Sequence, residues 1–358
     1  MVLKNVSLYG NITDIKTVGG KIIGIGKFDE DGLDINGLKI YPGLIDTHSH
    51  GCLGFEATDP GGDIAVMAQY QLQHGITTWY PTTVTASVSE ISKAISVNTA
   101  VKDGANIPGF HLEGPFINRN SKGAQDERYV IPADIDVFNE WNASGKVKKI
   151  TVAPECEGVL EFIKQCPAVV SIGHTACDYD TAAEAFRLGA TGLTHTFNTM
   201  PPIHHRAPGP IAAGCDFDGV YAELICDGIH VHPSAIRMLI KLFGEDRIVL
   251  ISDSVRATGL SDGEYALGGL TTYVKGGVAR TAEGNLAGST TNLFECVRRA
   301  ISFGIDEGAA VKMASENPAR QMGLNKGKIE VGYDADFIIV NENFELKYTV
   351  LGGKIYEC

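Results

Sequence analysis

The sequence predicts an α/β fold: a (β/α)8 TIM-type barrel carrying a small β-sandwich domain built from both chain ends. Three observations carry that prediction. Eight apolar runs rich in β-formers are spread over about 275 residues, with amphipathic segments between most of them. Those runs are continuous rather than alternating, as strands buried on both faces of a parallel sheet must be. The two ends, up to residue 42 and again from residue 327, share a glycine-punctuated β pattern that the middle lacks.

At the N-terminal end, VGGKIIGIG at 18–26 sets a Gly-Gly pair beside an apolar run, a hairpin signal. The C-terminal end repeats it in GKIEVGYDADFIIV and VLGGKIYE. The economical arrangement pairs residues 1–42 with 327–358 in one β-domain and leaves 43–326 as the barrel. Within that insert the eight strands are expected near LIDTHSH, TTWYPTTVT, GFHLEGPF, KITVAPE, VVSIGHT, GLTHTFNT, YAELICDGIH and IVLISDS. DIAVMAQYQLQHG and DYDTAAEAFRLGA read as amphipathic helices. In the second, Asp178 or Asp180 can cap the start and Gly189 the end. A doubly wound open sheet is the alternative, but no G-x-G-x-x-G follows the first strand.

Composition narrows the function classes. The chain has 358 residues, 30 Lys and Arg against 43 Asp and Glu, and a net charge of −13. An acidic chain without a basic run is a poor binder of nucleic acid or anionic membrane, so neither is expected as a partner. HHRAPG at 204–209 is the densest local source of positive charge in the middle of the chain. No apolar run approaches the ~20 residues of a membrane helix, and the N-terminus lacks a secretory h-region, so a cytoplasmic enzyme is expected. The eight cysteines are scattered with no C-x-x-C pair and read as reduced, mostly buried thiols; Cys52, close to His50, is assigned to ordinary packing.

The chemistry is written in where the polar residues fall. His48 and His50 follow strand one, Glu113 strand three, His174 strand five, His195 strand six, His230 strand seven and Asp253 strand eight. All sit at C-terminal strand ends, the face where barrel enzymes keep their active sites. Residues i and i+2 of a strand point the same way, so His48 and His50 can reach one point, and His111 accompanies Glu113 as a supporting residue. Taken singly, a histidine near a strand end is more often a hydrogen-bonded structural residue, and an Asp there commonly caps a helix. Seven on one rim are better explained by an N/O metal site suited to zinc or iron. His74, at a helix end, needs no such role. With no G-x-S-x-G in the chain, the reading is a metal-dependent hydrolase. The ion lowers the pKa of a water towards roughly 7, and Asp253 is the carboxylate available to handle the proton.

These motifs resemble the amidohydrolase superfamily and, within it, the N-acetylglucosamine-6-phosphate deacetylases. YPGLIDTHSHG, PTTVT, HLEGPF, SIGHT, THTFNTMPPIHHRAPG, DGIHVHP, SDSVRATG, LAGS and ENPAR occur in the family's order over nearly the whole chain. H-x-H is shared widely across the superfamily, whereas HLEGPF with THTFNTM and HHRAPG is specific to the deacetylases. The resemblance implies hydrolysis of N-acetyl-D-glucosamine 6-phosphate to D-glucosamine 6-phosphate and acetate. It implies a divalent metal, Zn or Fe(II), held by Glu113, His174 and His195, with Asp253 as general base and acid and His230 polarising the acetyl carbonyl. Substrate contacts carried over from matching loops are Ala124, Gln125, Asn198, Thr199, Arg206, Asp227, Gly228, Ile229, His230, Leu286, Ala287 and Gly288. The resemblance implies that Arg206 contacts the phosphate and that the protein is a homodimer, across whose interface this arginine can reach in the family. Many family members have histidine where Gln125 stands, and Ser254 replaces a common alanine.

Deacetylation of the galactosamine epimer, or hydrolysis of another N-acyl compound, is the alternative within enzymes. A non-catalytic barrel is the alternative outside them, and the intact set Glu113, His174, His195 and Asp253 argues against it. Because His48 and His50 are both kept, a second ion can sit beside the first with Glu113 between them. The sequence leaves open whether each subunit holds one ion or two.

Overall fold

The computed structural model describes residues 1–59 and 62–358. Eight parallel strands form the central sheet: β1 (Leu44–Ser49), β2 (Ile76–Thr83), β3 (Phe110–Glu113), β4 (Val147–Val152), β5 (Val169–Ile172), β6 (Gly192–Leu193), β7 (Tyr221–Ile225) and β8 (Ile248–Ile251). They pair in chain order from β1 to β8. Backbone bonds around the C-terminal strand ends join the first to the last: Asp253 N–H to the His48 carbonyl at 2.9 Å and His50 N–H to that of Ser254 at 2.8 Å. Each of the eight apolar runs read from the sequence supplies one strand, though β6 is only two residues long.

The helices between strands bury one apolar face against the sheet. DIAVMAQYQLQHG forms a helix over Ile64–Gln73, whose first turn is capped by the Asp63 carboxylate; His74 ends it, its ring bonded to the Tyr70 carbonyl. DYDTAAEAFRLGA forms a helix over Tyr179–Arg187, and of the two candidate caps it is Asp178 that accepts from Thr181 N–H.

Strands from both ends lie in one further sheet, in the order Lys354–Glu357, Leu346–Leu351, Phe337–Val340, Lys39–Pro42, Val2–Leu8, Asn11–Val18, Lys21–Gly26, with Leu33–Asp34 beside Val2–Leu8. The sheet folds over on itself. Ile22 N–H reaches the Tyr333 carbonyl at 3.0 Å and Ala335 N–H the Gly20 carbonyl at 2.8 Å, enclosing a core that includes Leu3, Val6, Ile15, Ile40, Phe337 and Val350.

One element was not anticipated. After β8 the chain makes a three-stranded antiparallel sheet, Gly263–Leu267, Leu270–Lys275 and Val278–Thr281, turning at Gly268-Gly269 and Gly276-Gly277. Its apolar face packs on Val84, Val255 and Ala287 and brings Leu267 to the mouth of the barrel.

Candidate metal centre and active site

The C-terminal ends of the strands surround a cavity of about 590 Å³. Glu113, His174, His195 and Asp253 lie in its wall together with His50 and His230. Three of these, His174, His195 and Asp253, have φ of 47°, 29° and 48°, a region that non-glycine residues seldom enter. Each stands two residues past the end of its strand, β5, β6 or β8, where the chain leaves the sheet. Strain of this kind, about 1–3 kcal/mol per residue, is kept where a site is built.

Glu113 is the hub. Its Oε1 lies 2.9 Å from His195 Nε2, 3.1 Å from His174 Nε2 and 3.2 Å from His48 Nε2; its Oε2 lies 3.3 Å from His50 Nε2. Asp253 Oδ1 is 3.2 Å from His50 Nε2 and 3.6 Å from His48 Nε2. Two sets of three converging ligand atoms result, Glu113/His174/His195 and His48/His50/Asp253, with Glu113 between them.

The far side of each ring decides what these atoms can do. His174 Nδ1 lies 3.0 Å from the Ser121 carbonyl, His50 Nδ1 3.1 Å from that of Thr82, and His48 Nδ1 3.1 Å from a Glu223 carboxylate oxygen. Carbonyl and carboxylate oxygens only accept, so Nδ1 carries a proton in all three and Nε2 is the nitrogen turned to the centre, where it presents a lone pair whenever the ring is neutral. Lone pairs and carboxylate oxygens thus face each other at about 3 Å, an arrangement that a cation among them makes favourable. It is also the pattern of metal-ligating histidines, whose other nitrogen donates to a carbonyl or carboxylate. The residues present therefore fit a divalent metal with N and O ligands. The charges agree. Burial pushes the Glu113 carboxyl up, but His174 and His48 hold it well below its ordinary value. Burial also opposes charge on His50, yet Asp253 and Glu113 raise its ring well above the usual range, and the same field attracts a divalent cation.

His230 faces the cavity from the other wall. The Asp227 carboxylate accepts three bonds: Nδ1–H of His230 at 2.7 Å and the N–H groups of Ile229 and His230 at 2.8 and 2.9 Å. Burial disfavours a charged His230, but the Asp227 bond and its charge raise the ring above its ordinary value. A protonated ring fixed at Nδ1 offers Nε2–H as a donor into the cavity.

A family profile for the amidohydrolases matches residues 40–356. The chain belongs to the amidohydrolase family. This amidohydrolase is 36% identical over 333 residues to N-acetylglucosamine-6-phosphate deacetylase of Bacillus subtilis (strain 168), covering 88% of this chain and 84% of the relative. It is 35% identical to N-acetylgalactosamine-6-phosphate deacetylase of Escherichia coli O157:H7, covering 88% and 86%. Among solved structures it resembles N-acetyl-D-glucosamine-6-phosphate deacetylase from Mycobacterium smegmatis, a variant in complex with N-acetyl-D-glucosamine-6-phosphate. The TM-score is 0.93 at 30% identity, over 99% of this chain and 98% of that one. The family is metal-dependent, in keeping with the two ligand groups.

The sequence-derived substrate residues of the amidohydrolase fall into four places. Ala124, Gln125, Asn198, Thr199, Leu286 and Gly288 line the cavity. Gln125 also works inward: its amide donates to Glu113 Oε2, and its oxygen accepts from Thr85 N–H at 2.6 Å. Asp227 is buried against His230 and holds its ring, Gly228 and Ile229 are exposed on the turn between them, and Ala287 is buried in the small cluster under the three-stranded sheet. Arg206 stands apart, exposed on the turn bridged by His204 and Ala207, and is not in the cavity wall of its own chain. Among the described residues, the Lys and Arg side chains in that wall are Arg119 and Lys122, which sequence reasoning missed. Lys122 directly precedes the GAQ loop, and that adjacency was the available signal. His111 is fully buried below Glu113, with Nε2 2.8 Å from Thr151 Oγ1.

Proposed function

We propose that this amidohydrolase removes the acetyl group from N-acetyl-D-glucosamine 6-phosphate, yielding D-glucosamine 6-phosphate and acetate. The observation that carries the reading is the convergence of Glu113, His174 and His195 beside Asp253 and a donor-competent His230 in one cavity. The relatives named above supply the substrate class. Zn or Fe(II) held by Glu113, His174 and His195 supplies Lewis acidity, which makes a water acidic enough to ionise near neutral pH.

The side chains do the rest. Asp253 is the base that takes the proton of the attacking water; burial raises its carboxyl, but His50 and His48 keep it below its ordinary value and so ionised. His230 Nε2–H donates to the acetyl oxygen as negative charge grows there, a form of stabilisation that is usually the largest single contribution. Asp253 then returns the proton to the sugar nitrogen, so that an amine rather than an amide anion leaves. Asn198, Thr199, Leu286 and Gly288 shape the sugar pocket, with Lys122 and Arg119 as its cationic wall. The exposed Arg206 meets the phosphate from the partner subunit of a homodimer, because its bidentate fork suits phosphate and its own cavity does not receive it. A second ion, where one binds, would be held by His48 and His50 together with Asp253. The division into a hydrolase barrel, 43–326, and a smaller β-domain, 1–42 with 327–358, and a place in the cytoplasm belong to the same proposal.

Acetate release from a panel tests it. N-acetylglucosamine 6-phosphate should be turned over at least tenfold better than the unphosphorylated sugar or the galactosamine 6-phosphate epimer. Equal rates on the unphosphorylated sugar would sink the role of Arg206, and preference for the galacto compound would reassign the substrate.

A further inference from the structure

Below the ligands the barrel interior is polar where such barrels are ordinarily packed with Val, Ile and Leu. Lys149 on β4 and Glu223 on β7 are both fully buried there and form a direct ion pair between Nζ and Oε1. A buried ion pair is weak evidence for stability, since its desolvation cost can exceed its Coulombic gain. Its retention asks for another reason, and the second oxygen of Glu223 provides one. Glu223 Oε2 lies 3.1 Å from His48 Nδ1 and 3.3 Å from the backbone N–H of His195. His48 is itself fully buried, and its Nε2, which has no hydrogen-bond partner among the described residues, lies 3.2 Å from Glu113 Oε1 and 3.6 Å from Asp253 Oδ1.

We infer that the Lys149–Glu223 pair is a positioning device that decides whether the His48/His50/Asp253 group can hold a metal ion. Glu223 accepts the Nδ1 proton of His48, fixes the ring in the tautomer whose Nε2 is a ligand, and raises the basicity of that nitrogen. Lys149 holds Glu223 in place: its Nζ takes Oε1, which leaves Oε2 facing Nδ1 of His48. The other ligand group depends on this pair less. His174 is oriented by the Ser121 carbonyl and Glu113 by Gln125, and Glu223 touches only the backbone of His195. Coupling to the pair is therefore specific to the second ion. This inference rests on the metal reading above and goes beyond it, since it names what controls the number of ions.

The test compares ion binding, not turnover. The wild-type chain and the double variant Lys149→Met with Glu223→Leu are stripped of metal and titrated with buffered Zn²⁺, and bound metal per chain is measured by mass spectrometry. Replacing both partners removes the acceptor without stranding a buried charge, a change that is often tolerated. The wild type should reach two ions; the double variant should keep the first with affinity within about threefold and bind the second about 10–100-fold more weakly, the loss typical of removing a ligand's orienting partner. Two ions at wild-type affinity in the double variant would overturn the inference and leave the catalytic reading intact. No bound ion in the wild type would overturn both, and a wild type that stops at one ion overturns the inference alone. Should the double variant not fold, Glu223→Gln keeps the shape and loses the charge, and its second ion should bind about tenfold more weakly; unchanged affinity there refutes the inference.

Discussion

Asp227→Asn isolates one polar contact with a defined consequence. The Asn oxygen can still accept from Ile229 and His230 N–H, but its NH₂ would face the Nδ1–H that now lies 2.7 Å from Asp227 Oδ2. Two donors cannot share that contact, so His230 gives up its Nδ1 proton and becomes neutral. The folded-state value of His230 lies above that of the unfolded ring, so its contribution to stability is complete below about pH 6.5 and is lost as pH rises through the folded value. Asp227 is depressed: burial raises it, His230 outweighs burial, and its contribution is lost as pH falls through the low folded value. The pair therefore stabilises between those limits. A hydrogen bond to a charged group contributes about 1.5–3 kcal/mol, and at roughly 2.1 cal/mol/K per residue of unfolding entropy a loss of about 2 kcal/mol lowers Tm by roughly 3 °C. Calorimetry should show that deficit at pH 6 and a smaller one above the His230 value. In kcat/KM the alkaline limb should move down by about one unit, with a loss of roughly tenfold at neutral pH, because the neutral ring keeps Nε2–H as a donor but loses the charge that makes such a bond roughly twice as strong. An alkaline limb left in place, with Tm depressed equally at every pH, would refute the assignment of His230 as a charged donor.

Three further outcomes follow from the geometry. Gly288→Ala places a methyl 2.4 Å from Val255 Cγ1 and 2.9 Å from the Asp253 carbonyl, at φ +60°, so it should cost about 1–3 kcal/mol and lower kcat, measured by denaturant titration beside kinetics. Gln125→Leu strands Thr85 N–H and frees one oxygen of Glu113; Tm and first-ion affinity should fall together, by about 2–4 kcal/mol in stability, whereas a residue that touched only substrate would change KM alone. Chelation should destabilise the chain by about 4 kcal/mol relative to free metal at 1,000 times Kd, roughly 5 °C in Tm, and re-addition of metal should restore it.

Much of this was legible in the sequence because barrel strands are written as separate apolar runs, and six of the eight end in the residue they deliver. Even β6, two residues long, could be found from GLTHTFNT, since the motif and not the strand length carried the signal. The sheet over 263–281 was missed although LGGL and KGGV show the same Gly-Gly punctuation used to find the hairpins at the chain ends. What sequence could not show was pairing across the barrel. Lys149 and Glu223 stand 74 residues apart, and a charge inside an apolar run such as KITV or YAELIC reads as an anomaly until its partner is found. The left-handed backbone at His174, His195 and Asp253 is equally silent, because none is a glycine. Gln125 matched a substrate loop by position, but its place against Glu113 and Thr85 depends on how that loop folds back over the centre.

Acetate release by Asp253→Asn at measured metal content tests the central claim most directly. Asparagine fills the same space beside His50 but cannot take a proton from water or return one to the departing amine. With the ion at Glu113, His174 and His195 retained, turnover of N-acetylglucosamine 6-phosphate should fall by about 10²–10⁴-fold. Turnover within tenfold of wild type at equal first-ion content would contradict the account.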